Sequence, residues 1–167
     1  VVPETLNNMA LYVDGRGFAG RSTEVSPPKL KLKTEDYRAG GMDAPTKVDQ
    51  GMEALQAGFT MGSIERDVLK FFGLADQSAF NGTFRGAFRD TKGKVKAVAM
   101  VMRGMLSEFD PGSWKPGSMS EVKYTAELTY YKMEIDGAVV HEIDVLGMTR
   151  VIDGVDQLAD VRKALGM

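Results

Sequence analysis

The sequence predicts a mainly β protein, an antiparallel β-sandwich or barrel with one mid-chain helix and a short C-terminal helix. Three observations carry this. First, Glu121–Thr129 alternates, with Val122, Tyr124, Ala126, Leu128 and Tyr130 on one side and Glu121, Lys123, Thr125, Glu127 and Thr129 on the other. A period of two places those sets on opposite faces of a strand. Second, the phase slips at Tyr130-Tyr131, so that Tyr131, Met133 and Ile135 become the apolar set, as at a β-bulge or a change of sheet. Asp136-Gly137 then separates two apolar runs, the pairing that a tight type I′ hairpin turn favours. Third, nineteen glycines accompany few helical patterns, which fits a turn-rich chain.

Composition sets the outer limits. At 167 residues and 18.2 kDa the chain fits one domain, residues 1–167, with enough length to bury a core. No run of some eighteen apolar residues is present to span a membrane as a helix. The opening VVPETLNNM lacks a basic segment followed by an apolar block, so no signal peptide is expected. The lack of cysteine removes disulfide and thiolate chemistry. A net charge of -2 argues against a dedicated nucleic-acid binder. Eleven methionines point to adaptable packing or interfaces.

Taken in order, Met9–Val13 is an apolar run ending in Asp14-Gly15, a first strand and turn with Phe18 beyond it. Arg21–Pro28 is polar and ends in two prolines, a loop or sheet edge. Lys29–Glu35 alternates Leu30, Leu32 and Thr34 with three lysines, giving a strand with one charged face. Arg38–Pro45 (RAGGMDAP) has no period and predicts a long loop, functional or disordered and a first candidate for a contact surface, extending to about residues 38–50. Leu55, Ala57, Phe59 and Met61 predict a further strand. Ile64, Val68, Phe71 and Phe72 recur at helical spacing, with Ser63 as cap, acidic residues in the first turns and Gly73 as stop, so a helix is expected over 63–73. Phe80, Phe84 and Phe88 fit either period, and Gly82 and Gly86 favour a strand. Thr91–Lys94 is a turn, and Val95–Leu106 reads as a central strand covered on both faces through Ala97–Met102. Ser107–Ser120 is a Pro/Gly loop carrying Trp114. Val155, Leu158, Val161 and Leu165 stripe a C-terminal helix begun by Asp153 or Asp156.

Apparent catalytic motifs dissolve in context. Gly15–Gly20 matches G-x-G-x-x-G, yet the polar, proline-ended stretch after it offers no helix to hold a pyrophosphate. His141 is the only histidine, and on a strand it points away from Glu142 and Asp144. Glu121, Glu127, Asp49 and Glu53 are carboxylates that no pattern brings together. Lys29, Lys31 and Lys33 read as a wet face before a phosphate site. No catalytic residue, metal ligand or cofactor site is expected, and no enzyme.

Four stretches together carry a resemblance: PKLKLKTEDYRAGGMDAP (Pro28–Pro45), KAVAMVMRGMLSEFDPGSWKPG (Lys96–Gly117), EVKYTAELTYYKMEIDG (Glu121–Gly137) and GVDQLADVRKALGM (Gly154–Met167). In this order and spacing the chain resembles the major tail tube proteins of contractile-tailed phages and R-type pyocins, and FFGLADQSAF (Phe71–Phe80) is closest to the pyocin branch. The resemblance implies the tail-tube fold and a homohexameric ring that stacks into a tube inside a contractile sheath. Six subunits giving four strands each would make roughly twenty-four strands and a barrel about 45–50 Å across. The implied partners are a tail sheath protein, a baseplate or tube initiator, and a tape measure protein in the lumen. DNA (in a phage) or ions (in a pyocin) would pass through without specific binding, and no membrane insertion is implied. The implied location is the virion or tailocin particle, assembled in the bacterial host cytoplasm.

On that footing Lys123, Thr125, Glu127 and Thr129 are expected to line the lumen. A conduit for DNA should avoid binding phosphates, so a neutral-to-acidic lumen is expected, with Lys123 paired or turned away. Arg38, Gly40, Gly41, Met42, Asp43, Pro45 and Asp49 are the expected contacts between subunits or rings. Glu65, Arg66, Asp160 and Arg162 are expected to face the sheath. The alternatives are a small-molecule-binding barrel with a pocket under Trp114, an esterase- or nuclease-like enzyme on scattered carboxylates, and a type VI secretion-like ring protein, which matches the four stretches less well.

Overall fold

A computed structural model describes residues 2–18, 20–73 and 80–167. The chain is organised by two long antiparallel strands, β8 (Val95–Asp110) and β9 (Val122–Ile135), which pair along most of their length. Their partners change midway. The first half of β9 pairs with β6 (Leu55–Met61), which pairs with β3 (Ser22–Ser26). Its second half pairs with β10 (Ala138–Asp144), followed by β11 (Thr149–Ile152) and β12 (Val155–Asp156). On its far side, β8 pairs with β7 (Phe80–Arg89), then β1 (Thr5–Val13) and β2 (Arg16–Gly17). Two leaves result, β3-β6-β9-β8 and β2-β1-β7-β8-β9-β10-β11-β12, sharing the β8–β9 spine.

The bend lies where the sequence slips phase. Arg103 pairs with Tyr130 and Gly104 with Leu128, so Thr129 is the extra residue of a bulge. Gly104 is required there, because a Cβ would lie 2.0 Å from the Glu127 carbonyl oxygen. The bulge keeps Val122, Tyr124, Ala126, Leu128 and Tyr131 all facing inward. It also moves Tyr130 out of the apolar set assigned from the sequence. Tyr130 is half-buried, its hydroxyl donates to Glu142 at 3.0 Å, and the Arg103 guanidinium lies 4.0 Å from its ring centre.

The leaves close on an aromatic centre. Phe59 on β6 stacks on Phe80 and Tyr124 at 5.7 and 4.9 Å and meets Phe84 edge-on. Leu11, Met61, Met102 and Leu106 fill the space around them. Asp14-Gly15 and Asp136-Gly137 adopt the positive φ of their hairpin turns. The apparent G-x-G-x-x-G is thus a hairpin turn followed by the short strand β2 and the buried Phe18.

Several expectations need correction. The helix expected over 63–73 is the single turn α1 (Arg66–Leu69). The Ser63 hydroxyl donates to the Glu65 carboxylate at 2.7 Å instead of capping the backbone. After Lys70, tertiary pairing takes over: Phe72 bridges Leu106, and the Gly73 N–H donates to the Leu106 carbonyl. The second helix is α2 (Ala159–Ala164), because Asp153-Gly154 makes a turn and Val155 joins β12. Val161 and Leu165 remain exposed. Arg21–Pro28 contains an edge strand, β3. The strand expected over 29–35 begins at Leu32 as β4 (Leu32–Tyr37), and its Leu32 is exposed. Residues 46–50 of the expected loop belong to β5 (Thr46–Met52), so the aperiodic part is the tip of a β4–β5 hairpin. Strand β8 is covered on one face only: Val98 and Met102 are buried, while Ala97 is exposed and Ala99 and Val101 are half-buried.

Candidate functional site

The outward face of β3-β6-β9-β8 is assembled from rows of directly paired residues, which share a face. One row runs Glu24, Thr60, Lys123, Asp110, and the next Ser26, Gly58, Thr125, Glu108. A third holds Gln56, Glu127 and Met105, in which the Gln56 amide donates to the Glu127 carboxylate at 2.8 Å. The Ser107 hydroxyl lies 3.4 Å from the Glu127 carboxylate and from the Thr125 carbonyl. Lys123, Thr125 and Glu127 therefore share one face, as the alternation predicts. Thr129 belongs to the bulge, where its carbonyl accepts the Val145 N–H at 2.9 Å. Lys123 is exposed on that face, and among the described residues no carboxylate comes within ion-pair range of it. It is outnumbered instead. Glu24, Glu108, Asp110 and Glu127 share the face with it, so the surface carries a negative excess.

Among the described residues this sheet has two open edges. There, strand β3 pairs only with β6. On the other side β8 pairs with β7 as far as Gly104, and beyond the Phe72–Leu106 bridge its last residues, Ser107–Asp110, have β9 as their one described strand partner. Glu24, Gln56, Glu108 and Asp110 were not legible as site residues. Their signal was register, since each faces Lys123, Thr125 or Glu127 only once the strands are paired.

The β4–β5 hairpin is a separate two-stranded sheet whose residues are nearly all exposed. At its tip the Arg38 guanidinium donates to the Met42 carbonyl at 3.2 Å, and the Met42 N–H donates to the Ala39 carbonyl at 3.2 Å. Gly41 supplies a positive φ. Arg38, Gly41 and Met42 thus shape the tip, and Gly40, Asp43 and Pro45 stand exposed on it. Asp49 does something different from its sequence companions: it reaches back to Arg150 on β11 at 2.8 Å. Sequence reasoning missed Arg150, which had no pattern around it to mark it.

The four expected sheath-facing residues are split by their bonds. The Glu65 side chain is 14% exposed and is held by Arg21 and Ser63. Arg162 is committed to Asp156 and to the Met148 carbonyl. Arg66 and Asp160 are exposed. Trp114 is 67% exposed, and its indole N–H donates to the Pro111 carbonyl at 3.0 Å. Among the described residues, no group of three His, Asp or Glu side chains is placed to hold a metal ion. No described helix is long and apolar enough to cross a membrane.

Comparison with known proteins agrees with this architecture. The family model "Phage tail tube protein FII" matches residues 3–166. The tail tube protein of Escherichia phage P2 is 32% identical over 170 residues, covering 99% of each chain. The major tail tube protein of Serratia phage KSP20 is 35% identical over 169 residues, covering 99% of this chain and 98% of its own. Among solved structures, a chain of the PVC sheath-tube complex of an extracellular contractile injection system, in its extended state, superposes with a TM-score of 0.60 at 13% identity, covering 79% of this chain and 91% of that one. Hcp1 from Flavobacterium johnsoniae follows with a TM-score of 0.51 at 14% identity, covering 82% and 98%. These two likenesses concern the fold.

Proposed function

We propose, because the chain belongs to the phage tail tube protein FII family, that it closes into hexameric rings whose lumen is lined by the acidic face of β3-β6-β9-β8. It is a structural subunit of a contractile tail tube, and its relatives in phages P2 and KSP20 are tail tube proteins. The observation that carries the finer reading is the four-stranded sheet with one acidic face and, among the described residues, two unpaired edges. Edge strands left open are templates for pairing, and pairing β3 of one copy with the end of β8 of the next removes both edges. Six copies supply roughly twenty-four strands, enough for a lumen that admits duplex DNA. The excess of carboxylates keeps phosphates from binding the wall, so that DNA or ions pass freely.

In this reading the rings stack into a tube, with the β4–β5 tip reaching the neighbouring subunit or ring. Arg66 and Asp160 lie toward a surrounding sheath. A baseplate complex starts the tube and a tape measure protein occupies it during assembly in the host cytoplasm. The test is negative-stain electron microscopy beside sedimentation of the purified protein. Hollow rings or tubes with six-fold end views are expected. A species that stays monomeric alone and with a baseplate initiator added overturns the ring.

A further inference from the structure

The hairpin meets the body at its root, where one carboxylate makes two bonds. Asp49 accepts the Gly51 N–H at 2.8 Å and the Arg150 Nη2 donor at 2.8 Å. Gly51 has a φ of 103°, open to glycine and strained for other residues, and the β4–β5 register shifts between Leu32 and Thr34 beside it. The hairpin therefore kinks where Asp49 holds it. Arg150 is 8% exposed, and among the described residues its Nε has no hydrogen-bond partner. A buried guanidinium with a donor already unsatisfied depends on its remaining carboxylate. Asp49 keeps a 42% exposed side chain and can be solvated if the pair parts.

The surroundings leave room for movement. Two grooves border Arg150 and Met52: one of about 240 Å³, lined also by Gly51 and Leu158, and one of about 190 Å³, lined also by Leu32 and Ile152. The hairpin root is thus not sealed onto the body. The Glu53 N–H donates to the Lys31 carbonyl and joins the two arms of the hairpin at their base; apart from the side-chain pair, the root is held to the body by the half-buried Met52 and Leu30 packed on the core.

We propose that the Asp49–Arg150 pair is a latch that fixes the direction of the β4–β5 hairpin, and that the kink at Gly51 is the hinge on which the hairpin swings once the latch is open. Arg150 is a positioning residue: it acts on the tip through Asp49. Holding the arm in one direction before contact removes an ordering cost from association. That advantage rests on the hairpin being an assembly arm, whereas the latch itself does not.

With no native cysteine, two introduced ones can be labelled cleanly. Spin labels at Ala44→Cys on the tip and Thr91→Cys on the β7–β8 turn report the arm's direction by pulsed electron resonance. Labelled chains are diluted into unlabelled protein so that only distances within one chain register. The parent is expected to give one narrow distance peak. Arg150→Met and Asp49→Asn, each with circular dichroism still native, should broaden it at least about twofold, and Arg150→Lys, which keeps the charge, should restore most of the narrowness. An unchanged peak in a folded Arg150→Met overturns the latch. If that variant does not fold, an unchanged peak in Asp49→Asn overturns it equally. Broadening should come with a critical concentration for assembly raised about tenfold. Broadening with unchanged assembly leaves the latch standing and removes the arm's part in ring joining.

Discussion

Strand β6 and strand β4 are close in length, and both belong to antiparallel pairs, yet their side chains meet opposite fates. In β6, Leu55, Ala57, Phe59 and Met61 are sealed into the aromatic centre. In β4 all six residues are exposed, and Leu32, Tyr37 and, on its partner, Val48 show apolar surface to solvent. The body spends its apolar residues on holding itself together. The hairpin keeps them on the outside.

The comparison can be broken in a graded way. The largest effect is expected in the body: Phe59→Ala removes the ring at the middle of the aromatic stack and should cost about 3–5 kcal/mol, read as a fall in the denaturant midpoint. A loss below about 1 kcal/mol would show that the core does not depend on that stack.

A second effect follows from pH. Burial, with the charge of Glu65 adding to it, pushes the Tyr124 phenol up to about 12. Burial also raises Tyr131, and burial together with Glu142 raises Tyr130. In the unfolded chain a tyrosine ionises near ~10. Between about pH 10 and 12 the folded state holds protons that the unfolded state has released, so stability is whole below that window and drains as pH rises through it. Phenolate absorbance should lag for these residues and then appear together with unfolding. Free titration of all five tyrosines in a folded chain would contradict the packing described.

The smallest effect on the fold is expected at the tip. Met42→Ala with Asp43→Ala should shift stability by no more than about 0.5 kcal/mol while reducing the yield of assembled tube. Equal tube yield would strip the tip of its assembly role and leave the contrast between body and arm as one of burial alone.

Much of the body was legible because burial writes itself into alternation. The β9–β10 hairpin, its bulge and its Asp136-Gly137 turn were readable since each depends on local spacing or turn geometry. The helix over 63–73 was misread for the opposite reason. Its apolar period is real, but Phe72 and Gly73 are claimed by Leu106, some thirty residues away, and local pattern carries no trace of that. The site divides in the same manner. Lys123, Thr125 and Glu127 were visible on one strand, whereas the carboxylates that decide its charge, Glu24, Glu108 and Asp110, come from two others. The Asp49–Arg150 pair spans 101 residues and could not be inferred from either end.

The spine shared by the two leaves has a mechanical consequence. Because β8 and β9 run unbroken through the bend at Gly104, a pull on one leaf is carried into the other along two covalent backbones and the ladder between them. The leaves cannot slide past one another as two separately packed sheets can, because the same two strands belong to both. Such a subunit is stiff along its spine.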